Sequence, residues 1–251
     1  MLSKYKLKRE LSSGAFGKVY HGVHKRTGAE VAIKVEKREH QCSLKHEARV
    51  YHYLKSIKGV PNIIWYGADQ LHNYIILPLL GENVKQAYDA HRLQRDSIGR
   101  LAKSMCEILK QVHLIEIVHG DIKPENFIFD REHHQVHLID FGFARKFNAT
   151  PKQLQTPSGT PCYMSRRCHS SLEPGYIDDI ESLLYLILSL YYTELPWQHN
   201  TTNHTDIARE KEIIVHAPES VPEVLYGLLQ MVKSGDRGEL PEYNLFIQYS
   251  K

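Results

Sequence analysis

The sequence predicts an α+β chain of two lobes, an N-lobe over 1–80 and a C-lobe over 81–251, from three features of its patterning. From Tyr5 to about residue 80, β-branched and aromatic runs such as "VAIKVE" and "YIIL" alternate with glycine and polar turns, as short strands do. One stretch breaks that pattern: "SLKHEARVYHYLKS" spaces Leu44, Ala48, Tyr51 and Leu54 as an amphipathic helix does. Beyond Leu80 the helical period dominates, so a small antiparallel sheet with one helix is followed by a mainly helical part.

Taken in order, "LSSGAFGKVY" is a glycine-containing turn between two strands, where small residues let backbone N–H groups approach phosphate oxygens; by itself it fits a plain hairpin equally well. Lys34 then stands on an otherwise apolar strand, where a buried ammonium needs a partner, and Glu47 on the following helix is the natural one; the bland alternative is a surface lysine. The helical period returns in "SIGRLAKSMCEILKQVHLI" and "DDIESLLYLILSLYY", with "NFIFD" and "QVHLID" forming a hairpin between them. The most apolar run, Leu183 to Tyr192, is far shorter than the roughly 20 residues of a membrane span and reads as a buried core helix. "REKE", Arg209 to Glu212, reads as a solvated helix face.

Bulk composition excludes more than it assigns. With 251 residues, 24% charged, and a net charge of +3 without long single-sign runs, the chain offers neither a nucleic-acid stripe nor a membrane surface. Cys42, Cys106, Cys162 and Cys168 form no CxxC pair, and no apolar stretch follows the basic "MLSKYKLKRE". Reduced thiols in an intracellular protein, in cytoplasm or nucleus, are therefore expected.

The chemistry concentrates in "HGDIKPENF", residues 119 to 127, and in "IDFG" downstream. The Asp-x-Lys-x-x-Asn spacing followed by Asp-Phe-Gly, together with the glycine turn and Lys34 in the right order, resembles the eukaryotic protein kinase family over nearly the whole chain. The resemblance implies a two-lobed kinase fold, ATP and Mg²⁺ as cofactors, and protein substrates. Asp121 corresponds to the aspartate that orients the substrate hydroxyl and accepts its proton, and Lys123 to the lysine that steadies the transferred phosphate. Asn126 and Asp140 correspond to the Mg²⁺ ligands. Lys34, held by Glu47, would grip the α- and β-phosphates beneath a loop of Leu11, Ser12, Ser13, Gly14, Ala15, Phe16 and Gly17. Val19, Ala32, Ile128 and Ile139 would sandwich the base, with Leu77 as gatekeeper and Pro78 to Leu80 as hinge. Lys123 after Asp121, with "GTPCY" downstream, is similar to serine/threonine kinases, and Thr160 would bond near Asp121 and Lys123.

Within the family, "GVPNIIWYGA", "LLGENV", "DIKPENF" and "DDIESLLYLILSLYYTELPWQ" resemble the casein kinase I group, with "GTPCYMSRR" where other kinases have Ala-Pro-Glu. Gly in place of Arg before the catalytic Asp is similar to the vaccinia-related kinases.

Several positions depart from the pattern. Ser12 replaces the first glycine of the loop. Gly120 replaces the arginine that reads a phosphorylated activation segment, so activity is expected not to depend on phosphorylation at Thr150, Thr156 or Ser158. Tyr176 and Ile177 stand where the casein kinase I group has two arginines for primed substrates, unless Arg166 and Arg167 supply that anion site. The C-terminal helices of the large lobe are expected to be shortened, without an autoinhibitory tail, in a monomer.

His133, His134 and His137 read as solvated loop histidines rather than a zinc site, and His119 as a buried brace of the catalytic loop. Asp179 would accept catalytic-loop N–H groups, with Asp178 and Glu181 at the surface or in ion pairs. The rival to an active enzyme is a pseudokinase or ATP-binding scaffold. A small-molecule kinase is a third reading.

Overall fold

The structure, a computed structural model, describes residues 2–14, 17–38, 43–132, 134–192, 194–200 and 202–247. Backbone contacts divide the chain into two compact units, Met1–Gly81 with Phe129–Gly142, and Glu82–Ile128 with Phe143–Lys251.

The first unit is built on a five-stranded antiparallel sheet of order β1-β2-β3-β5-β4. Its strands are β1 (Tyr5–Gly14), β2 (Gly17–His24), β3 (Glu30–Lys37), β4 (Trp65–Ala68) and β5 (His72–Pro78). Alternation along β3 and β5 gives the sheet two different faces. On one, Val31, Ile33, Tyr74 and Ile76 form a buried cluster. On the other, Ile75 packs against Leu44 and Ala48 of the single helix, α1 (Ser43–Tyr53). All four apolar positions expected from the helical spacing, Leu44, Ala48, Tyr51 and Leu54, are buried.

The β1–β2 pairing ends at Gly14 opposite Gly17. Gly17 has φ +116°, and a Cβ there would collide with the carbonyl oxygen of Val35, so the strand approaches its neighbour only with glycine at this position. The turn between β7 (Phe127–Phe129) and β8 (Val136–Leu138) is closed by Asp130, whose N–H donates to the Gln135 carbonyl at 2.8 Å and whose carboxylate accepts from the His134 and Gln135 N–H groups.

The second unit is helical. It contains α2 (Val84–Asp89), α3 (Ile98–Leu114), α4 (Tyr176–Tyr191), α5 (His204–His216), α6 (Tyr226–Ser234) and α7 (Asn244–Ile247). A short ladder joins β6 (Ile117–Val118) to β9 (Arg145–Lys146). Asn83 opens α2 with a reciprocal cap: its side chain accepts the Gln86 N–H at 2.8 Å, and the Gln86 side chain accepts the Asn83 N–H. The apolar run of the sequence lies in α4 up to Tyr191, with Tyr192 as its C-cap, and the helix is buried along almost its whole length and packed on α3 and α6. Among the described residues no helix is long and apolar enough to cross a membrane. Asp178 satisfies the start of α4 by accepting the Gly175 N–H at 2.7 Å.

Candidate active site

In the first unit the site residues are organised around Lys34. It pairs with Val19 and Ile75 in the ladders, which puts it on the sheet face that carries α1. Its ammonium donates to Glu47 Oε2 at 2.8 Å and to Asp140 Oδ1 at 2.7 Å. Burial pulls the Lys34 ammonium down, but the charges and hydrogen bonds of the two carboxylates outweigh it and hold the group above its ordinary value. Glu47 is pushed up by burial to about 7, Lys34 pulling it back and the Asp140 charge adding to the rise.

Asp140 is held from its backbone as well. It sits at φ +63°, a left-handed conformation that aspartate tolerates better than most residues, and its N–H donates to the Tyr51 hydroxyl at 3.2 Å. Phe141 packs edge-on against the Tyr51 ring at 5.1 Å. Sequence reasoning placed Tyr51 only in an apolar stripe and missed this role. The signal was there in its position, one helical turn beyond Glu47 on the same face.

In the second unit the expected cluster closes around Asp121, which is buried. Lys123 Nζ donates to Asp121 Oδ2 at 2.5 Å and to Thr160 Oγ1 at 3.3 Å, while Thr160 Oγ1 donates to Asp121 Oδ1 at 2.7 Å. Each carboxylate oxygen thus has its own donor, and the plane of the group is fixed. Asn126 Nδ2 donates to the Asp121 carbonyl at 2.8 Å, which leaves the amide oxygen as its acceptor for a cation.

The loop that carries Asp121 is tied down from beneath. Asp179 accepts the N–H groups of His119 at 2.7 Å and Gly120 at 2.9 Å, and a third bond from His113 Nε2 at 3.0 Å. Burial pushes the Asp179 carboxyl up, but these donors more than offset it and hold the group below the usual aspartate range. His119 is buried and its Nδ1 accepts the Asp121 N–H at 3.2 Å, the bracing role expected of it.

Gly120 has a local physical reason. It adopts φ +77°, and a Cβ would lie 3.3 Å from the Phe143 carbonyl oxygen. Gly159, at φ +111°, faces it: a Cβ there would come within 2.9 Å of the Gly120 carbonyl oxygen. Two glycines therefore let the segment before Thr160 lie directly on the loop before Asp121.

The remaining nucleotide-site residues divide between the units. Val19, Ala32 and Leu77 are half-buried apolar residues on the Lys34 face of the sheet, and Ile139, Leu11, Pro78 and Leu80 are half-buried in the same unit. Ser12, Ser13 and Gly14 are exposed at the end of β1, and Ile128 is half-buried in the second unit. Ala15 and Phe16 lie outside the described residues. Taken unit by unit, the residues fit Mg-ATP by their chemistry: the first has half-buried apolar side chains on the sheet face of a lysine, and Asp140 there, like Asn126 in the second, offers oxygen of the kind a hard cation takes.

Several expectations are corrected. Lys211, in the "REKE" segment, is fully buried rather than solvated. Asp178 and Glu181 form ion pairs as expected, with Arg167 at 3.0 Å and Arg166 at 2.8 Å, but both carboxylates are buried rather than at the surface. Arg166 is also paired with Glu212, so the two arginines offered as a substitute anion site are already engaged. Tyr176 stacks on Phe147 at 4.1 Å and Ile177 is buried, which makes both core residues. His134 is exposed as expected, but His137 lies half-buried on β8; His133 lies outside the described residues. No cluster able to hold a metal through three or more His, Cys, Asp or Glu residues occurs among the described residues. Cys106, Cys162 and Cys168 are free thiols, and Cys42 lies outside the described residues.

Residues 5–234 match the family model of the protein kinase domain. The chain belongs to the protein kinase family, and its five-stranded sheet and helical second unit are the two lobes of that fold. Among solved structures it is similar to that of vaccinia-related kinase 3, with a TM-score of 0.85 at 23% identity, over 98% of this chain and 85% of the other. At that identity the likeness is one of fold.

Proposed function

We propose that the chain is an active serine/threonine kinase of the casein kinase I type, transferring the γ-phosphate of Mg-ATP to Ser and Thr hydroxyls of proteins. The observation that carries this reading is the Asp121–Lys123–Thr160 triangle. With both oxygens held by donors, the carboxylate is oriented to accept a hydroxyl proton, and the neighbouring ammonium is placed to meet negative charge that develops on a phosphoryl group. Bound Mg²⁺ would supply neutralisation of phosphate charge, with Asn126 and Asp140 as its protein ligands. Lys34, fixed by Glu47, is the proposed phosphate grip. The full ion-pair set around Lys34 favours catalysis over a scaffold role.

Assignment to the casein kinase I type, and with it a bias toward acidic substrates, rests on the resemblance of "DIKPENF" and "GTPCYMSRR" to that group. Gly120 supports activity independent of activation-segment phosphorylation, since a residue without a side chain offers no phosphate receptor. The proposed setting is intracellular, with the chain a monomer. An array of Ser, Thr and Tyr peptides with acidic or neutral flanks, incubated with the chain and labelled Mg-ATP, tests this: label on Ser and Thr peptides with acidic flanks is expected. Label on Tyr alone, or on metabolites and no peptide, would contradict it.

A further inference from the structure

Lys211 lies on α5 with its side chain wholly enclosed, and none of its three hydrogen-bond acceptors is a carboxylate. The ammonium donates to the carbonyls of Pro161 at 2.8 Å and Met164 at 2.7 Å, and to His169 Nε2 at 3.0 Å. The rings of Tyr185 and Trp197 cover it at 4.9 and 5.4 Å. Burial pulls the ammonium down to about 7, against the opposing pull of Cys162, Glu181 and Cys168. Burying an ammonium without a carboxylate partner is costly, so a lysine here calls for a reason beyond filling space.

What it holds supplies the reason. The Trp197 indole N–H donates to the Cys162 carbonyl at 2.8 Å, and the N–H groups of Tyr163 and Met164 both return to the Thr160 carbonyl at 2.9 Å. In the five residues from Thr160 to Met164, the carbonyls of 160, 161, 162 and 164 are thereby all fixed, two of them by the one ammonium. This turn begins with the threonine whose hydroxyl donates to Asp121 Oδ1.

The histidines complete the arrangement. With Lys211 as the ammonium, a donor only, His169 Nε2 is the acceptor and the proton of that ring is on Nδ1, which faces His204 Nδ1 at 2.8 Å. A neutral His169 is consistent with its titration, which burial and the Lys211 charge push down to about 3.

We propose that Lys211 is a positioning residue for phosphoryl transfer: it fixes the 160–164 turn through the Pro161 and Met164 carbonyls, and through Thr160 it sets the orientation of Asp121. The inference rests on the reading of Asp121 as the group that takes the substrate proton. Lys211 touches no reacting atom; its effect is transmitted through backbone carbonyls and one hydroxyl.

The test compares the 251-residue chain with its Lys211→Met, Trp197→Phe and His169→Ala variants, measuring kcat and KM for peptide and ATP separately, and amide hydrogen exchange at Tyr163 and Met164. For Lys211→Met, kcat is expected to fall about ten- to hundredfold with KM for ATP nearly unchanged, as for a catalytic group displaced without loss of nucleotide binding. Exchange at the two amides should accelerate in parallel. Trp197→Phe, which keeps an aromatic ring but removes the indole donor to Cys162, should shift both readouts in the same direction by less, and serves if Lys211→Met does not fold. His169→Ala, which removes one acceptor of the ammonium together with the contact to His204 but leaves both carbonyl bonds of Lys211 in place, should leave kcat closest to wild type. Unchanged exchange at both amides, or kcat reduced no more than KM for ATP is raised, would overturn the proposal. If the wild-type chain transfers no phosphate, the functional reading falls, while the exchange data still decide whether Lys211 holds the turn.

Discussion

Asp121 and Lys34 face opposite electrostatic problems. Asp121 is the base of the proposed reading, and its two donors, Thr160 and Lys123, fix the plane of its carboxylate. Lys34 must stay a cation in a buried place, and two carboxylates keep it so. Lys34→Met would leave Glu47 and Asp140 facing each other without the cation between them. A loss of stability of about 3 kcal/mol, read by urea unfolding, and of at least about a hundredfold in transfer are expected. Asp179 poses the third case. Because its folded-state value lies below the ordinary one, its contribution to stability is complete above the unfolded aspartate range and is lost as pH falls through the lower folded value. Asp179→Asn should therefore flatten the acid limb of the stability curve as pH falls below the ordinary aspartate range, and unfolding measured on that limb checks it.

Single elements show how far patterning reaches. In α1 the apolar spacing and the burial agree residue for residue, because one helix on one sheet face leaves little choice of which side goes in. In α5 the same reasoning failed: "REKE" looks like a solvated face because lysine is usually exposed, and nothing local reveals that carbonyls far away in sequence will meet Lys211. Tyr51 was legible as core, whereas its bond to the Asp140 backbone joins positions 89 residues apart and has no local signature. The catalytic loop was the most legible part, since Asp121, Lys123 and Asn126 fall within six positions and their spacing alone brings them together. Gly120 was noticed as a missing arginine, and the structure adds that its backbone lies in the left-handed region against Gly159. Gly159→Ala should cost about 1–3 kcal/mol and lower transfer, since the new Cβ meets the Gly120 carbonyl. Nucleotide-induced thermal stabilisation should survive the change, because the proposed phosphate grip is on the other unit's Lys34. Lys211 gives α5 a pH signature. Its folded value is lowered, so between about pH 7 and 10 the unfolded chain binds the extra proton and stability rises with pH; the difference between wild type and Lys211→Met should reproduce that rise.

For the molecule as a whole, the arginines of the large unit that could read a phosphate are internally committed. Arg166 and Arg167 are committed to Glu181, Glu212 and Asp178, and Tyr176 and Ile177 are core residues. Peptides carrying a phosphate upstream of the acceptor should accordingly be used no more than a few-fold better than peptides with Asp or Glu there, as kcat/KM on matched pairs would show. The most direct test of the central claim is transfer of labelled γ-phosphate from Mg-ATP to an acidic Ser/Thr peptide by the wild-type chain, Asp121→Asn and Asp140→Ala. Label incorporated by the wild type and lost in both variants, with all three folded, is the expected result. A folded wild type that transfers nothing, or variants that transfer as well as it does, would contradict the account.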